Sequence, residues 1–91
     1  MKFEWDRTKA ASNLRKHGVS FDEAATAFAD PLSHVFPDPD HSDNETRFLL
    51  IGMSQTIRIL VVSHTDRGEA IRIISAREAT RKERIFYEES R

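Results

Sequence analysis

The sequence predicts an α+β protein in which helices cover a largely antiparallel sheet. Three β-like runs follow one another between residues 46 and 75, two helical segments precede them, and a further helical segment follows them. Consecutive helices followed by consecutive strands are typical of α+β folds rather than of the alternating α/β class. The predicted element order over residues 1–91 is β-α-α-β-β-β-β-α, in one domain with one modest core.

The first two elements are a short strand and a helix with clear ends. Lys2–Trp5 places two aromatic residues on one side of a short run, which suits a strand added to the sheet. Asp6 is an N-cap candidate for a helix over Arg7–His17, and Gly18 is the residue type that most often ends a helix. We therefore expect a helix of about three turns here.

A second helix and a second strand follow. Ser20 and Glu23 form the capping-box pattern, and the apolar, alanine-rich segment behind them ends at Asp30, which precedes a proline. Leu32–Phe36 is predicted to be another strand, so the sheet gains one or two strands beyond the three consecutive runs.

The three consecutive runs predict an antiparallel meander. Only a few residues separate them, whereas a parallel return needs a dozen or more. Gly68 supplies the permissive backbone that a tight hairpin uses. The predicted strands are Thr46–Met53, Ile57–Thr65 and Ala70–Ser75.

Period-two alternation sorts the side chains of the meander onto two faces, if each hairpin keeps a simple register. The predicted apolar face carries Phe48, Leu50, Ile59, Val61, Ile71 and Ile73. The predicted polar face carries Arg47, Arg58, His64 and Arg72, mixed with aliphatic residues. A slip of one residue or a bulge would exchange these sets.

The end of the chain is predicted to be helical. Ser75 and Glu78 form a second capping-box pattern, which predicts a helix that continues to about Glu89. Arg77 would then lie in the first helical turn, where a cation opposes the helix dipole. Such a placement hints at a ligand or an acidic partner nearby.

Composition limits the class of protein. The chain has no cysteine, no apolar run long enough to span a bilayer and no signal-peptide pattern, so we expect a cytoplasmic protein without a membrane segment. The net charge is −1, but residues 1–45 hold 5 Lys/Arg against 9 Asp/Glu, while residues 46–91 hold 9 against 6. Positive potential is therefore expected on the sheet and the last helix.

Three segments carry a family resemblance: FEWDRTKAASNLRKHGVSFDEAATAF, DPDHSDNETRFLLIGMS and VVSHTDRGEAIRIISAREATRKERIFYE. Together they resemble the BrnT family of type II toxins over nearly the whole chain. The resemblance implies a RelE-like α+β fold and a ribonuclease that blocks translation. It also implies neutralisation by a small BrnA-like antitoxin with a ribbon-helix-helix DNA-binding domain, and binding of operator DNA only through that antitoxin. Two toxins held by an antitoxin dimer, a heterotetramer, are the implied assembly.

Metal-independent RNA cleavage needs a base, an acid and cations that stabilise the charge on phosphorus. We hypothesise that His64 is the general acid or base, that Glu45 is its complement, and that Arg47, Arg67 and Arg72 form an electrostatic clamp. The RNA-binding candidates are Arg77, Arg81, Lys82 and Arg84. No cofactor is expected.

Each candidate has a simpler structural interpretation. The simpler interpretation of His64 is a strand histidine hydrogen-bonded to a neighbouring hairpin, and Arg58 is better explained by cross-strand ion pairing. Lys16 and His17 form a possible second proton-transfer pair, but a helix end before glycine favours basic residues. A loop containing Asp38, Asp40, His41 and Asp43 has metal-ligand side chains but lacks the calcium-loop pattern. The functional alternative to an enzyme is a non-catalytic module whose basic sheet face docks an antitoxin or nucleic acid.

Overall fold

The computed structural model describes residues 1–41 and 45–90 and confirms the α+β class and the element order. The elements are β1 (Lys2–Glu4), α1 (Arg7–His17), α2 (Phe21–Thr26), β2 (His34–Pro37), β3 (Arg47–Met53), β4 (Ile59–Arg67), β5 (Ala70–Glu78) and α3 (Arg81–Glu89). A 3₁₀ turn at Ala27–Ala29 extends α2, and another lies at Pro39–His41. None of the described helices has the length and hydropathy needed to cross a bilayer.

The strands form one five-stranded sheet in the order β1-β5-β4-β3-β2. Strands β2 to β5 pair antiparallel with their chain neighbours, as the short connections predict, and β1 adds to β5 in parallel. The strand β1 pairs only with residues 70–72, so the later part of β5 is left for α1 to cover.

The helix α1 begins and ends at the predicted residues. Asp6 Oδ1 accepts a hydrogen bond from Lys9 N at 3.0 Å, and Gly18 adopts a left-handed φ of 67° while its N–H binds Leu14 O. Asn13 is buried and holds this helix against β5, because its side chain binds both the N–H and the carbonyl oxygen of Ala76, at 3.1 and 2.8 Å. The amide side chain thus replaces a neighbouring strand at this edge of the sheet.

The helix α2 is capped by Ser20, whose Oγ accepts a hydrogen bond from Glu23 N at 3.0 Å. The 3₁₀ turn behind it passes very close to β3, where a Cβ added to Gly52 would lie 2.9 Å from Ala27 O. A glycine is therefore required at this position, because any other residue would push the turn away from the sheet.

Hydrophobic residues lie on both faces of the sheet. The inner face packs against α1 and α2, and the buried residues there are Val19, Phe21, Ala24, Leu60, Val62, Ile73 and Ala76. The outer face packs against α3 over a smaller cluster of Ile51, Val61 and Tyr87, with Leu49, Met53, Ile59 and Ala79 around it. Because α3 covers only part of the outer face, the remainder of that face is open.

The predicted face assignment is wrong for the whole of β4. Leu50 pairs with Val62, and Phe48 pairs with His64, so the even-numbered residues of both strands share the inner face. The connection between the paired residues Met53 and Ile59 has five residues, an odd number, whereas the predicted pairing needed an even one. His64 and Arg58 therefore do not belong to the face that carries Arg47 and Arg72.

The predicted start of the last helix is also wrong. The strand β5 continues to Glu78, which pairs with Leu60, so Arg77 is a strand residue. The capping box that begins α3 is formed by Thr80 and Glu83, with Glu83 N bound to Thr80 Oγ1 and Thr80 N bound to Glu83 Oε1. Pairing with β4 and with Asn13 fixes these residues as strand, and a capping pattern in the sequence cannot override that pairing.

Candidate active site

Two adjoining pockets form a groove between α1 and the open part of the outer face. The larger pocket has a volume of about 270 Å³ and is lined by His17, Leu49, Val61, Ser63, Ser75, Ala76 and Arg77. The smaller pocket has a volume of about 200 Å³ and is lined by Lys9, Ser12, Asn13, Lys16, His17, Ile74 and Ser75. His17 and Ser75 line both pockets, so the two spaces are neighbours on the surface.

A bulge in β5 builds the floor of this groove. Ser63 pairs with Ser75, whereas the next residue of β4, His64, pairs with Ile73, so Ile74 is an extra residue in β5. The bulge reverses the alternation of β5 from this point, and it thereby places Ser75 on the outer face beside Ser63. Two hydroxyl groups consequently lie next to each other on the groove floor.

Arg77 is the cation of the larger pocket, and α3 holds it in position. Its Nη1 and Nη2 donate to the two carboxylate oxygens of Glu83 at 2.7 and 2.9 Å, and Nη1 also donates to Glu78 O at 3.2 Å. These bonds use three of the five N–H groups of a guanidinium. Among the described residues, the Nε–H and the second Nη2–H have no acceptor, and that edge has the geometry for a bidentate bond to phosphate.

The pairing of Arg77 with Glu83 is tight and charge-assisted. The hydrogen bond from Arg77 lowers the pKa of Glu83 to about 2, and the same bond raises the pKa of Arg77. Glu83 therefore remains ionised across the physiological range and fixes the guanidinium without blocking its free edge. Arg77 is 41% exposed, so a substrate can reach it.

The opposite wall of the groove comes from α1. Lys9, Asn13 and Lys16 recur at helical spacing along one side of this helix, and Asn13 turns that side toward β5 through its bonds to Ala76. Lys16 and His17 occupy the last turn, where the helix dipole favours cations. Stabilisation of the helix end, the predicted role, is therefore compatible with a role in the groove, because His17 is exposed and lines both pockets.

The lining of the groove is basic. It includes Lys9, Lys16, His17 and Arg77, and the described residues that line the two pockets include no Asp or Glu. A concave surface with cations and without carboxylates attracts anions and orients phosphate oxygens. The imidazole adds a group that can exchange protons near neutral pH.

Two of the predicted catalytic residues, Arg47 and Arg72, lie next to this groove on the same sheet face. Arg47, Thr65 and Arg72 form one row across three strands, two residues along from the row of Leu49 and Ser63. At strand spacing two residues correspond to about 7 Å, so this row adjoins the larger pocket. Arg72 also binds Glu4 at 2.9 Å.

Glu45 and Arg67 lie farther along. They form a salt bridge of 3.3 Å with each other. Arg67 is four residues from Ser63 in β4, or about 13 Å at strand spacing. Glu45 is therefore too far from the larger pocket to exchange a proton with a phosphate ester held there.

The predicted convergence of His64 with these arginines is wrong. His64 lies on the inner face, is 5% exposed, and packs between Phe28 and Phe48 with ring centroids 4.8 and 5.9 Å away. Its Nδ1 donates to Val62 O at 3.1 Å, and burial lowers its pKa. The sheet itself separates this imidazole from the arginine side chains.

The predicted RNA-binding residues divide between two elements. Arg77 lies in the groove, whereas Arg81, Lys82 and Arg84 are exposed on α3. The aromatic residue Tyr87 of the same helix is buried, and its hydroxyl donates to Asp30 Oδ2 at 2.5 Å. Tyr87 is therefore part of the hydrophobic core under α3.

Arg58 has a structural role, as predicted, although its main partner comes from a helix. It binds both carboxylate oxygens of Glu23 in α2, donates to Gly18 O at 3.1 Å, and reaches Glu78 across the sheet at 3.2 Å. Ser54 and Thr56 also donate to Glu23 Oε2, at 2.7 and 2.6 Å. This cluster locks the β3–β4 connection onto the end of α1 and the start of α2.

The acidic loop gives no metal site among the described residues. No group of three or more His, Asp or Glu side chains within residues 1–41 and 45–90 is arranged to hold a metal ion. Asp43, which belongs to the loop considered from the sequence, lies outside the described residues.

His17 lines both pockets, a position that sequence reasoning did not predict. The basic dipeptide before Gly18 is already explained by the helix end, so no pattern in the sequence required a further role. The missing information is tertiary: Asn13 anchors α1 so that its last turn reaches over the bulge in β5.

Comparisons with known proteins agree with the character of this groove. The family model described as "Ribonuclease toxin, BrnT, of type II toxin-antitoxin system" matches residues 5–83. The fold is similar to the crystal structure of the Brucella abortus ribonuclease toxin BrnT, with a TM-score of 0.70 and 30% identity, over 89% of this chain and 99% of that chain. No curated protein matches the sequence. The chain belongs to the BrnT family of ribonuclease toxins of type II toxin-antitoxin systems.

Proposed function

We propose that this protein is an endoribonuclease toxin that cleaves RNA in the groove between α1 and β5, without a metal ion. The observation that carries the proposal is the lining of two neighbouring pockets by Lys9, Lys16, His17 and Arg77, with no Asp or Glu among the described residues that line them. Membership of a family named for ribonuclease toxins supports RNA as the anionic substrate. We also propose that the protein acts in the cytoplasm, where its substrate is.

The proposed reaction is attack of a ribose 2′-oxygen on the adjacent phosphorus. A base removes the 2′-OH proton, the bond from phosphorus to the 5′-oxygen breaks, and that oxygen takes up a proton, leaving a 2′,3′-cyclic phosphate and a 5′-hydroxyl. His17 is exposed and lies in the same pocket as Arg77, so it is positioned to transfer one of these protons. Arg77 stabilises the charge that develops on the phosphate oxygens.

The row of Arg47 and Arg72 extends the phosphate-binding surface beyond the larger pocket. The exposed ion pairs of Arg72 with Glu4 and of Arg67 with Glu45 contribute only about 0–1 kcal/mol each, so an RNA phosphate can compete for these arginines. Glu45 is proposed to hold Arg67 in place rather than to transfer a proton.

The activity is tested with purified protein and a short single-stranded RNA in the presence of EDTA. We expect cleavage with 2′,3′-cyclic phosphate ends, no cleavage of the same sequence with 2′-O-methyl riboses, and no gain on adding magnesium. Intact RNA after prolonged incubation with folded protein would refute the enzyme and favour the non-catalytic binding module. Dependence on added metal would refute metal independence alone.

The biological setting is proposed from family membership. Induction of this protein is expected to arrest growth by inhibiting translation, and co-expression of a small ribbon-helix-helix antitoxin of the BrnA kind is expected to restore growth. The toxin and antitoxin are proposed to form a heterotetramer of two copies each, which light scattering of the purified complex would test. Operator DNA is expected to bind the complex and not the toxin alone.

A further inference from the structure

The smaller pocket of the groove has features that cleavage at His17 and Arg77 does not use. Its walls come from one side of α1, where Lys9 and Lys16 are two helical turns apart, with Ser12 between them. Seven residues of helix correspond to about 10 Å, so the two lysines join the helix backbone about 10 Å apart along the pocket. Both lysines are exposed, and the pocket is therefore open to a ligand from solvent.

The position of this pocket is fixed by the fold. Asn13 holds the helix against β5 through Ala76 and also donates to Val19 O at 3.0 Å. Ile74, the extra residue of the bulge, forms part of the wall. Buried hydrogen bonds and a bulge therefore fix the backbone segments that frame the pocket.

The charges near this pocket favour an anion. The nearest carboxylate in sequence, Asp6, is already engaged as the N-cap of α1, and its hydrogen bond with Lys9 N lowers its pKa. The charge of Lys9 also lowers the pKa of Asp6, and both Lys9 and Lys16 are exposed to a ligand from solvent. Lysine binds phosphate as a mobile point charge, which suits a nucleic-acid backbone that must enter and leave.

We propose that the smaller pocket binds the phosphate next to the one that is cleaved. The inference rests on the proposed function and specifies its substrate: the enzyme requires an RNA strand with at least two consecutive phosphates, one in each pocket. His17 and Ser75 line both pockets and lie at the junction, so the nucleotide between the two phosphates spans this point. Lys9 is then a specificity residue that measures the length of the strand and does not touch the reacting atoms.

The test compares three ligands by NMR titration of isotope-labelled protein. The first is a 2′-O-methyl dinucleotide with one internal phosphate, and the other two carry an added 5′- or 3′-terminal phosphate. None of them can be cleaved by 2′-oxygen attack, so binding is measured apart from chemistry. We expect one terminal phosphate to increase affinity by about tenfold and to shift the amide signals of Lys9 and Ser12.

The matched variants are Lys9→Gln and Lys2→Gln, of which Lys2 is an exposed residue of β1 outside the groove. Glutamine is a good helix former, so Lys9→Gln keeps α1 intact. The increase in affinity from the terminal phosphate should fall to about twofold in Lys9→Gln and stay near tenfold in Lys2→Gln. An equal gain in both variants, or no gain from either phosphate in the unmodified protein, would overturn the proposal.

The two proposals fail in different ways. If the increase in affinity from the terminal phosphate depends on Lys9 but ordinary RNA is not cut, the enzyme assignment is wrong and the anion subsite remains. If RNA is cut but the gain is independent of Lys9, the subsite is wrong and the enzyme remains.

Discussion

His64 and His17 lie on opposite sides of the sheet, and their imidazoles have opposite surroundings. His64 on the inner face is packed between Phe28 and Phe48, and burial lowers its pKa. His17, at the end of α1, is exposed beside Arg77 on the open part of the outer face. A proton-transfer group needs access to substrate as well as a suitable side chain, so the location of each imidazole decides its role.

The largest expected effect comes from removing the exposed imidazole. His17→Ala should reduce the rate of RNA cleavage by about a hundredfold or more, because general acid–base catalysis contributes factors of that size. His64→Phe keeps an aromatic ring between Phe28 and Phe48 and should retain activity within about twofold. Circular dichroism confirms that each variant is folded before rates are compared.

This pair of variants can also show that the assigned roles of His17 and His64 are wrong. If folded His64→Phe loses as much activity as His17→Ala, the inner face takes part in catalysis and the groove is not the active site.

The register of one hairpin explains why the sequence pointed to the wrong histidine. Period-two alternation identified the strands and their pairing correctly, but a face assignment also needs the parity of the connection between them. In the β3–β4 connection, the β-branched and exposed residue Ile57 adopts a positive φ of 64°, which no local propensity predicts. Contacts from Glu23, far away in the chain, hold that connection in place.

The arginines were easier to predict than the proton-transfer group. Arg47 and Arg72 lie in one strand row because both pair with Thr65, and alternation places them on one face whatever the register of β4. Arg77 joins them on that face only because of the bulge at Ile74, and His17 only because Asn13 docks α1. Bulges and buried amide contacts depend on tertiary packing, so they have weak signals in a single sequence.

The next largest effect is expected on stability, from the cluster of Glu23 and Arg58 that fixes the β3–β4 connection. Hydrogen bonding, first from Arg58, lowers the pKa of Glu23 from 4.5 to about 2. Because the folded-state pKa is depressed, the stabilisation is present above pH 4.5 and is lost as the pH falls toward 2. A depression of this size corresponds to about 3 kcal/mol, so Glu23→Gln should lower the free energy of unfolding by about that amount at pH 7.

Urea unfolding at pH 7 and at pH 3 measures this effect. The difference between the unmodified protein and Glu23→Gln should shrink at the lower pH, and Asp22→Asn, an exposed neighbour in the same helix, should change stability by about 0.5 kcal/mol. Equal stability of Glu23→Gln and the unmodified protein at pH 7 would show that the cluster does not determine the hairpin.

A smaller effect is expected from changing the shape of the groove cation while keeping its charge. Arg77→Lys loses the planar fork that binds Glu83 and leaves an edge for phosphate, so cleavage should fall by about tenfold. Arg7→Lys, an exposed residue of α1 that lines neither pocket, is the matched control. If both variants cleave RNA at the same rate, charge alone is sufficient and the fork geometry is irrelevant.

The smallest expected effect is on the pH dependence of stability, to which the buried His64 contributes. Burial lowers the pKa of His64 below 6.5, against a smaller opposing effect of the Asp66 charge, so the folded state disfavours the imidazolium. With a depressed folded-state pKa, this contribution to stability is complete above pH 6.5 and declines as the pH falls below it, because the unfolded chain takes up the proton first. Unfolding free energies of the unmodified protein should therefore decrease between about pH 7 and pH 5 more steeply than those of His64→Phe. The two proteins differ at this position alone, so the difference between the two curves isolates His64. Parallel curves would mean that this imidazole takes up a proton as readily in the folded protein as in the unfolded chain, and the contrast between the two faces would then be lost.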